Sequence, residues 1–132
     1  MKNYHPLFLK LAALYNIIWG AWIVIFPLQI FNMTGMKAPL YPEIWQCVGM
    51  IVGVYGIGYY FASKSPLIHW PIVLVGLLGK IFGPIGFLNA LILERFSPLF
   101  GWVILTNDLI WWIPFGNILW HAWKNSQERK GQ

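Results

Sequence analysis

The sequence predicts an all-α integral membrane protein: a four-helix bundle of antiparallel up-down topology, in a single domain over residues 1–132, with both termini cytoplasmic. Three observations carry this reading. Hydrophobic residues make up 58% of the 132, about 77 positions, close to the roughly 80 that four membrane-spanning helices need. Charged residues are only 10% and the mean hydropathy is +0.61, against roughly 25% charged residues in ordinary globular domains. The apolar residues also gather into four runs, each about the 17 to 25 residues that cross a bilayer as a helix. Soluble enzymes, nucleic-acid binders and disordered chains do not have this composition.

The first run covers about 7–27. It follows Lys2 as a signal peptide would, but Lys10 interrupts it and no small-x-small cleavage site follows, so it reads as a retained helix. Pro27, the Gly35 region and Pro39/Pro42 then mark a loop of about 16 residues. Within it Asn32-Met33-Thr34 has the N-x-T pattern of a glycosylation acceptor, a tripeptide that is common by chance. The second run covers about 44–62 and carries Gly49, Gly53, Gly56 and Gly58. The 49/53 spacing is read first as close packing within the bundle, with homodimerisation as the alternative.

Ser63 to Pro66 form a tight turn into the third run, about 68–92, and Glu94 to Pro98 a second turn into the fourth, about 99–122. Short turns predict antiparallel neighbours. The polar tail, Lys124 to Gln132, is expected to leave the membrane and fray. Orientation follows from the basic residues. Lys2, Lys64, Lys124, Arg129 and Lys130, with Lys10 close by, share one side, while Lys37 and Arg95 lie on the other, which makes the first side cytoplasmic and the chain a multi-pass inner-membrane protein. The net charge of +5 is scattered over helix ends and loops. That favours lipid headgroups over nucleic acid as the acidic partner.

Chemistry is concentrated where charge enters the bilayer. Lys80 lies mid-way along the third run among Gly76, Gly79, Gly83 and Pro84, and Asp108 near the middle of the fourth beside Asn107. Each costs about 2.5 to 3.5 kcal/mol at a helix centre if unpaired. Counted from a turn near residue 96, their depths differ by about 6 Å at 1.5 Å per residue, which a lysine stem spans, so the two are expected to pair. Asn16 in the first helix and Tyr55 in the second reach a similar depth, provided helix rotation turns them inward. A cluster of Asn16, Tyr55, Lys80, Asn107 and Asp108 would suit a ligand site or proton relay, holding a quinone headgroup, a small anion or a proton. The structural alternative is a buried ion pair that fixes helix register.

Glycines 79 and 83 allow a close helix contact, and Pro84 withholds a backbone hydrogen bond, leaving a carbonyl free near the midplane. Gly79-Lys80 is not a phosphate loop, since Ile81 stands where Ser or Thr must hold magnesium. Tyr15-Asn16 in the first helix and Thr106-Asn107 in the fourth give a faint echo, read as shared membrane chemistry. His5, His69 and His121 all fall at cytoplasmic helix ends; a three-histidine metal site is open, though interfacial roles suit them better. With one cysteine, Cys47, there is no intramolecular disulfide, CxxC redox pair or cysteine-rich metal site. No nucleophile elbow, carboxylate pair or HExxH helix is present, so no catalytic residue is assigned.

The stretches Tyr15 to Gly20, Gly49 to Tyr60, Gly79 to Phe87 and Asn107 to Phe115 resemble those of small bacterial four-helix membrane proteins, and the size and layout are distantly similar to the DoxX-like group. The lysine that such proteins often carry after the first-helix glycine is replaced here by Ala21-Trp22-Ile23. The resemblance implies an accessory membrane subunit in quinone-linked redox chemistry and carries over no catalytic residue. Three functions are therefore expected. The first is ligand binding at the midplane. The second is a proton- or ion-coupled transporter acting as a homodimer, with Asp108 carrying the proton and Lys80 as counter-ion. The third is a structural partner of another membrane subunit.

Overall fold

A computed structural model describes residues 3–131. Lys2 and Gln132, which entered the orientation and tail arguments, lie outside the described residues. Four segments are long and apolar enough to cross a membrane, and no strand occurs among the described residues. The helices are α1 (His5–Ile25), α2 (Gln29–Thr34), α3 (Pro42–Ala62), α4 (Trp70–Ile92), α5 (Gly101–Asn107) and α6 (Trp112–Lys130). Proline stands in the first turn of α1, α3 and α4, where its missing N–H removes nothing and its fixed φ suits the helix. Helix α2 ends on Gly35 at φ 67°. Helix α4 ends on Glu94 at φ 54°, with Arg95 N–H bonded back to the Ala90 carbonyl, a left-handed cap that usually falls to glycine.

Three expectations change. The first loop contains helix α2, and the N-x-T tripeptide lies inside it, with Thr34 buried and its hydroxyl donating to the Ile30 carbonyl at 2.7 Å. The polar tail does not fray after Lys124; α6 continues to Lys130. The fourth run is not one helix. A 3-10 turn (Pro98–Phe100) leads into α5, which stops at Asn107; Asp108 leaves the helical region at φ −120°, ψ −64°, and a second 3-10 turn (Leu109–Trp111) precedes α6. The local cause is double. Asn and Asp side chains compete for backbone partners, and Pro114 has no N–H to return to Ile110.

Helices α1 and α3 form the tightest pair because glycine removes the side chains between them. A Cβ on Gly20 would collide with the Gly49 carbonyl oxygen, one on Gly49 would come within 2.8 Å of Ile23 Cβ, and one on Gly56 within 2.8 Å of the Ala13 carbonyl oxygen. This is the bundle-packing use of glycine. Asn16 and Gln46 tie the same helices, donating to the Val52 and Val24 carbonyls at 3.2 and 2.8 Å.

Two apolar clusters flank the middle of the molecule. One joins Leu9, Tyr59, Val73, Trp111, Phe115 and Ile118, and the other Trp19, Ile23, Ile30, Phe31 and Phe100. Outside them the pattern of a water-soluble protein is inverted. Ile18, Ile57, Phe82 and Ile113 are exposed while Asn16, Lys80 and Asp108 are buried, as hydrocarbon surroundings favour.

Candidate functional site

All five residues expected at the midplane line one cavity of about 270 Å³, together with Ile51, Val52, Tyr59, Gly76 and Gly79. Asn16 comes from α1, Tyr55 from α3, Lys80 from α4, and Asn107 and Asp108 from the break after α5. The rotation that sequence reasoning required is therefore present in each helix. Lys80 and Asp108 are 4% and 5% exposed, too deep to rely on bulk water for solvation.

Their pairing differs from the expected one. The Lys80 ammonium donates to the main-chain carbonyl oxygen of Asn107 at 2.5 Å, while the Asp108 carboxylate accepts from Asn107 Nδ2 at 3.0 Å. Among the described residues, no lysine nitrogen lies within 4.0 Å of a carboxylate oxygen. Asn107 thus stands between the two ions. The reason is the helix break: once α5 stops, the Asn107 carbonyl lacks its helical donor and competes for the ammonium. The aromatic faces of Tyr59 and Trp111 each lie 6.0 Å from Lys80 Nζ, at cation–π distance.

The carbonyl that Pro84 frees is also used differently. Pro84 cannot donate to Lys80 O, and the indole of Trp112 does so instead at 2.8 Å. The expected open carbonyl is thus closed by a side chain. Trp111 repairs the break in the same way, donating to Thr106 O at 3.0 Å. Nor do Gly79 and Gly83 serve helix packing. A Cβ on Gly79 would meet nothing within 4 Å, and one on Gly83 would stand 2.9 Å from Asp108 Oδ2. The first leaves the cavity open, and the second makes room for the carboxylate.

The echo between the first and fourth runs has a spatial counterpart. Tyr15 and Thr106 share a hydrogen bond of 2.9 Å, and Asn16 and Asn107 line the same cavity. Both amide NH₂ groups are engaged, on Val52 O and on Asp108. Both amide oxygens are buried with no protein donor.

A second cavity, of about 860 Å³, opens between the start of α1 and α6. There His5 and His121 meet edge to face at 5.0 Å and both bond Asn117, His5 Nε2 to its side-chain oxygen at 2.8 Å and His121 Nδ1 to its carbonyl at 2.9 Å. His69 is not among the residues lining this cavity, so the three histidines do not converge. Among the described residues no three His, Cys, Asp or Glu side chains come together as a metal site.

Sequence reasoning missed Tyr59, Trp111 and Trp112, which wall the ammonium and repair the backbone. Their signal was present but indirect: a proline four residues after a buried lysine creates an orphan carbonyl, which needs an N–H donor from another helix. Fold and site together define the class: an all-helical chain with four potential membrane spans, built around a buried polar cavity beside a broken helix. No protein-family model, curated protein or solved structure matches the chain.

Proposed function

We propose that this chain is a multi-pass inner-membrane protein, an up-and-down bundle with both termini cytoplasmic, that binds a small lipophilic ligand in its midplane cavity as an accessory to membrane redox chemistry. A quinone-type headgroup is the ligand class, in keeping with the DoxX-like layout of the sequence. The observation that supports this most is the convergence of Asn16, Tyr55, Lys80, Asn107 and Asp108 from the spanning segments onto one cavity. A site that only fixed helix register would pack these groups against each other and leave no open volume. At about 270 Å³ the space suits a single substituted ring better than a drug-sized molecule.

The experiment is mass spectrometry of what copurifies in mild detergent, comparing the native chain with Gly79→Leu. Gly79 lines the cavity and a Cβ there meets nothing within 4 Å, so a leucine is expected to take up cavity volume, and circular dichroism of the variant checks that the fold is kept. A lipophilic molecule is expected with the native chain and lost from the variant. Equal recovery from both would overturn the proposal.

A second reading rests on the break at Asp108. Discontinuous spanning helices that present unwound backbone and a carboxylate at mid-depth are how many transporters build ion sites, so coupling of Asp108 to proton or cation movement is the competing function. Proton flux in liposomes, abolished by Asp108→Asn with folding retained, would favour it.

A further inference from the structure

We infer that the midplane cavity opens sideways into the bilayer core, between α3 and α4, and takes a ring that carries an alkyl tail, with the ring inside and the tail among the lipid chains. This deepens the ligand-binding reading above and rests on it. The argument comes from where the cavity wall is exposed. Of the residues lining it, only Ile51 on α3 and Gly79 on α4 are exposed, and the rest are buried or half-buried. These two therefore form its mouth. Measured from the helix ends that the 63–69 turn joins, Ile51 and Gly79 lie about 17 and 14 Å along their helices at 1.5 Å per residue. They stand level with one another, near the middle of a hydrocarbon core of roughly 30 Å.

The rim of this mouth is apolar. The large side chains exposed a turn to either side, Val48 and Val54 on α3 and Val75 and Phe82 on α4, carry no polar group. A Cβ on Gly79 would meet nothing within 4 Å, so the glycine keeps the gap clear. An ion taking this route would first have to enter hydrocarbon, where charge is expensive. A molecule already dissolved in the lipid meets no such barrier. The interior, about 270 Å³, falls below the roughly 300–1,000 Å³ of drug-sized clefts and has room for a substituted ring without a long chain. A tail left in the mouth exchanges one hydrocarbon contact for another, so it costs little and keeps the ligand in the membrane.

The test is electron paramagnetic resonance on the full chain in phosphatidylcholine vesicles, with a nitroxide at Ile51→Cys or Gly79→Cys in a Cys47→Ser background. Oxygen, which concentrates in hydrocarbon, should relax both labels, and a water-soluble nickel complex should relax neither; a label at Lys37→Cys should show the reverse. Decyl-benzoquinone should then reduce oxygen access at Ile51, where its chain passes, and methyl-benzoquinone should leave it unchanged. Nickel access at Ile51 or Gly79 equal to that at Lys37 would overturn the sideways opening in favour of a water-filled cavity, even if a lipophilic molecule copurifies. Low access to both relaxants would overturn it in favour of a mouth covered by protein. Equal effects of the two quinones would overturn the placing of the tail. If neither quinone acts at a mouth open to oxygen, the ligand-binding reading falls with the tail, and the opening alone stands. The Ile51 label decides the route even if the Gly79 variant does not fold.

Discussion

Trp112→Phe tests whether one side chain replaces a backbone hydrogen bond that proline has removed. Trp112 is 40% exposed, so trimming the indole to a phenyl ring gives up little packing, and the principal loss is the N–H that donates to Lys80 O at 2.8 Å. Hydrogen bonds between membrane helices average about 0.6 kcal/mol in double-mutant cycles and reach about 1.7. The Lys80 carbonyl belongs in the upper part of that range, because with proline at 84 it has no helical donor to fall back on. The expected loss for Trp112→Phe is thus about 1–1.5 kcal/mol. In a Pro84→Ala background residue 84 regains an N–H aimed at Lys80 O, and the same Trp112→Phe change should then cost only a few tenths. The measurement is reversible unfolding by SDS in mixed bicelles, followed by far-UV circular dichroism, on all four combinations. A coupling energy near 1 kcal/mol is the expected result, at the upper end of what one interhelical hydrogen bond supplies, roughly 1.7 kcal/mol at most. Additive effects, with Trp112→Phe costing as much in the Pro84→Ala background as in the native chain, would refute the account.

Three further outcomes follow from the same geometry. Gly20→Ala places a methyl group against the Gly49 carbonyl and should cost about 1–3 kcal/mol in the same unfolding assay, whereas Gly79→Ala, facing open space, should be neutral or mildly stabilising; equal effects would sink the packing argument. Lys80→Met should cost about 3–5 kcal/mol by leaving Asp108 buried without a counter-charge. Adding Asp108→Leu should recover only part of this, since the Asn107 carbonyl still lacks its donor; full recovery would show that the two ions interact directly. For the proposed orientation, single cysteines at Lys37 and Lys130 in a Cys47→Ser background should differ, the first reacting with an impermeant thiol reagent in intact cells and the second not; labelling at Lys130 alone would reverse it.

The four long apolar segments were legible because helices able to cross a bilayer need long apolar runs, and the structure sets their starts within a few residues of the sequence reading where proline opens a helix, as at Pro42 and Pro71. The polar cluster was legible for a related reason: Asn16, Tyr55, Lys80, Asn107 and Asp108 are costly at that depth unless they find one another, so depth along each run nominated them, while the rotation that turns them onto one cavity came only with the structure. What could not be read was partnership. Counting residues from a turn places Lys80 and Asp108 at similar depths, but it cannot say that α5 will stop at Asn107 and offer a better acceptor. The glycines show the same limit. Gly49 and Gly79 head identical GxxxG spacings, yet one packs against Ile23 and the other faces empty volume, a difference that depends on which neighbour each helix face meets.

The two irregular helices repair each other. Pro84 removes a donor from α4, and α6 supplies it through Trp112; the break after Asn107 orphans a carbonyl, and α4 supplies its donor through Lys80. Each repair joins α4 to the broken fourth span in the opposite direction, and Lys80 takes part in both, with its main chain accepting and its ammonium donating. Without these two side chains each defect would leave a buried backbone group unsatisfied, which is tolerated in an apolar medium only where protein or water replaces the missing partner. Each irregularity is therefore met by a side chain of the other segment. Both repairs fall beside the cavity that Asn16, Tyr55, Lys80, Asn107 and Asp108 line, so the side chains that mend the backbone also fix where the ammonium and the carboxylate stand.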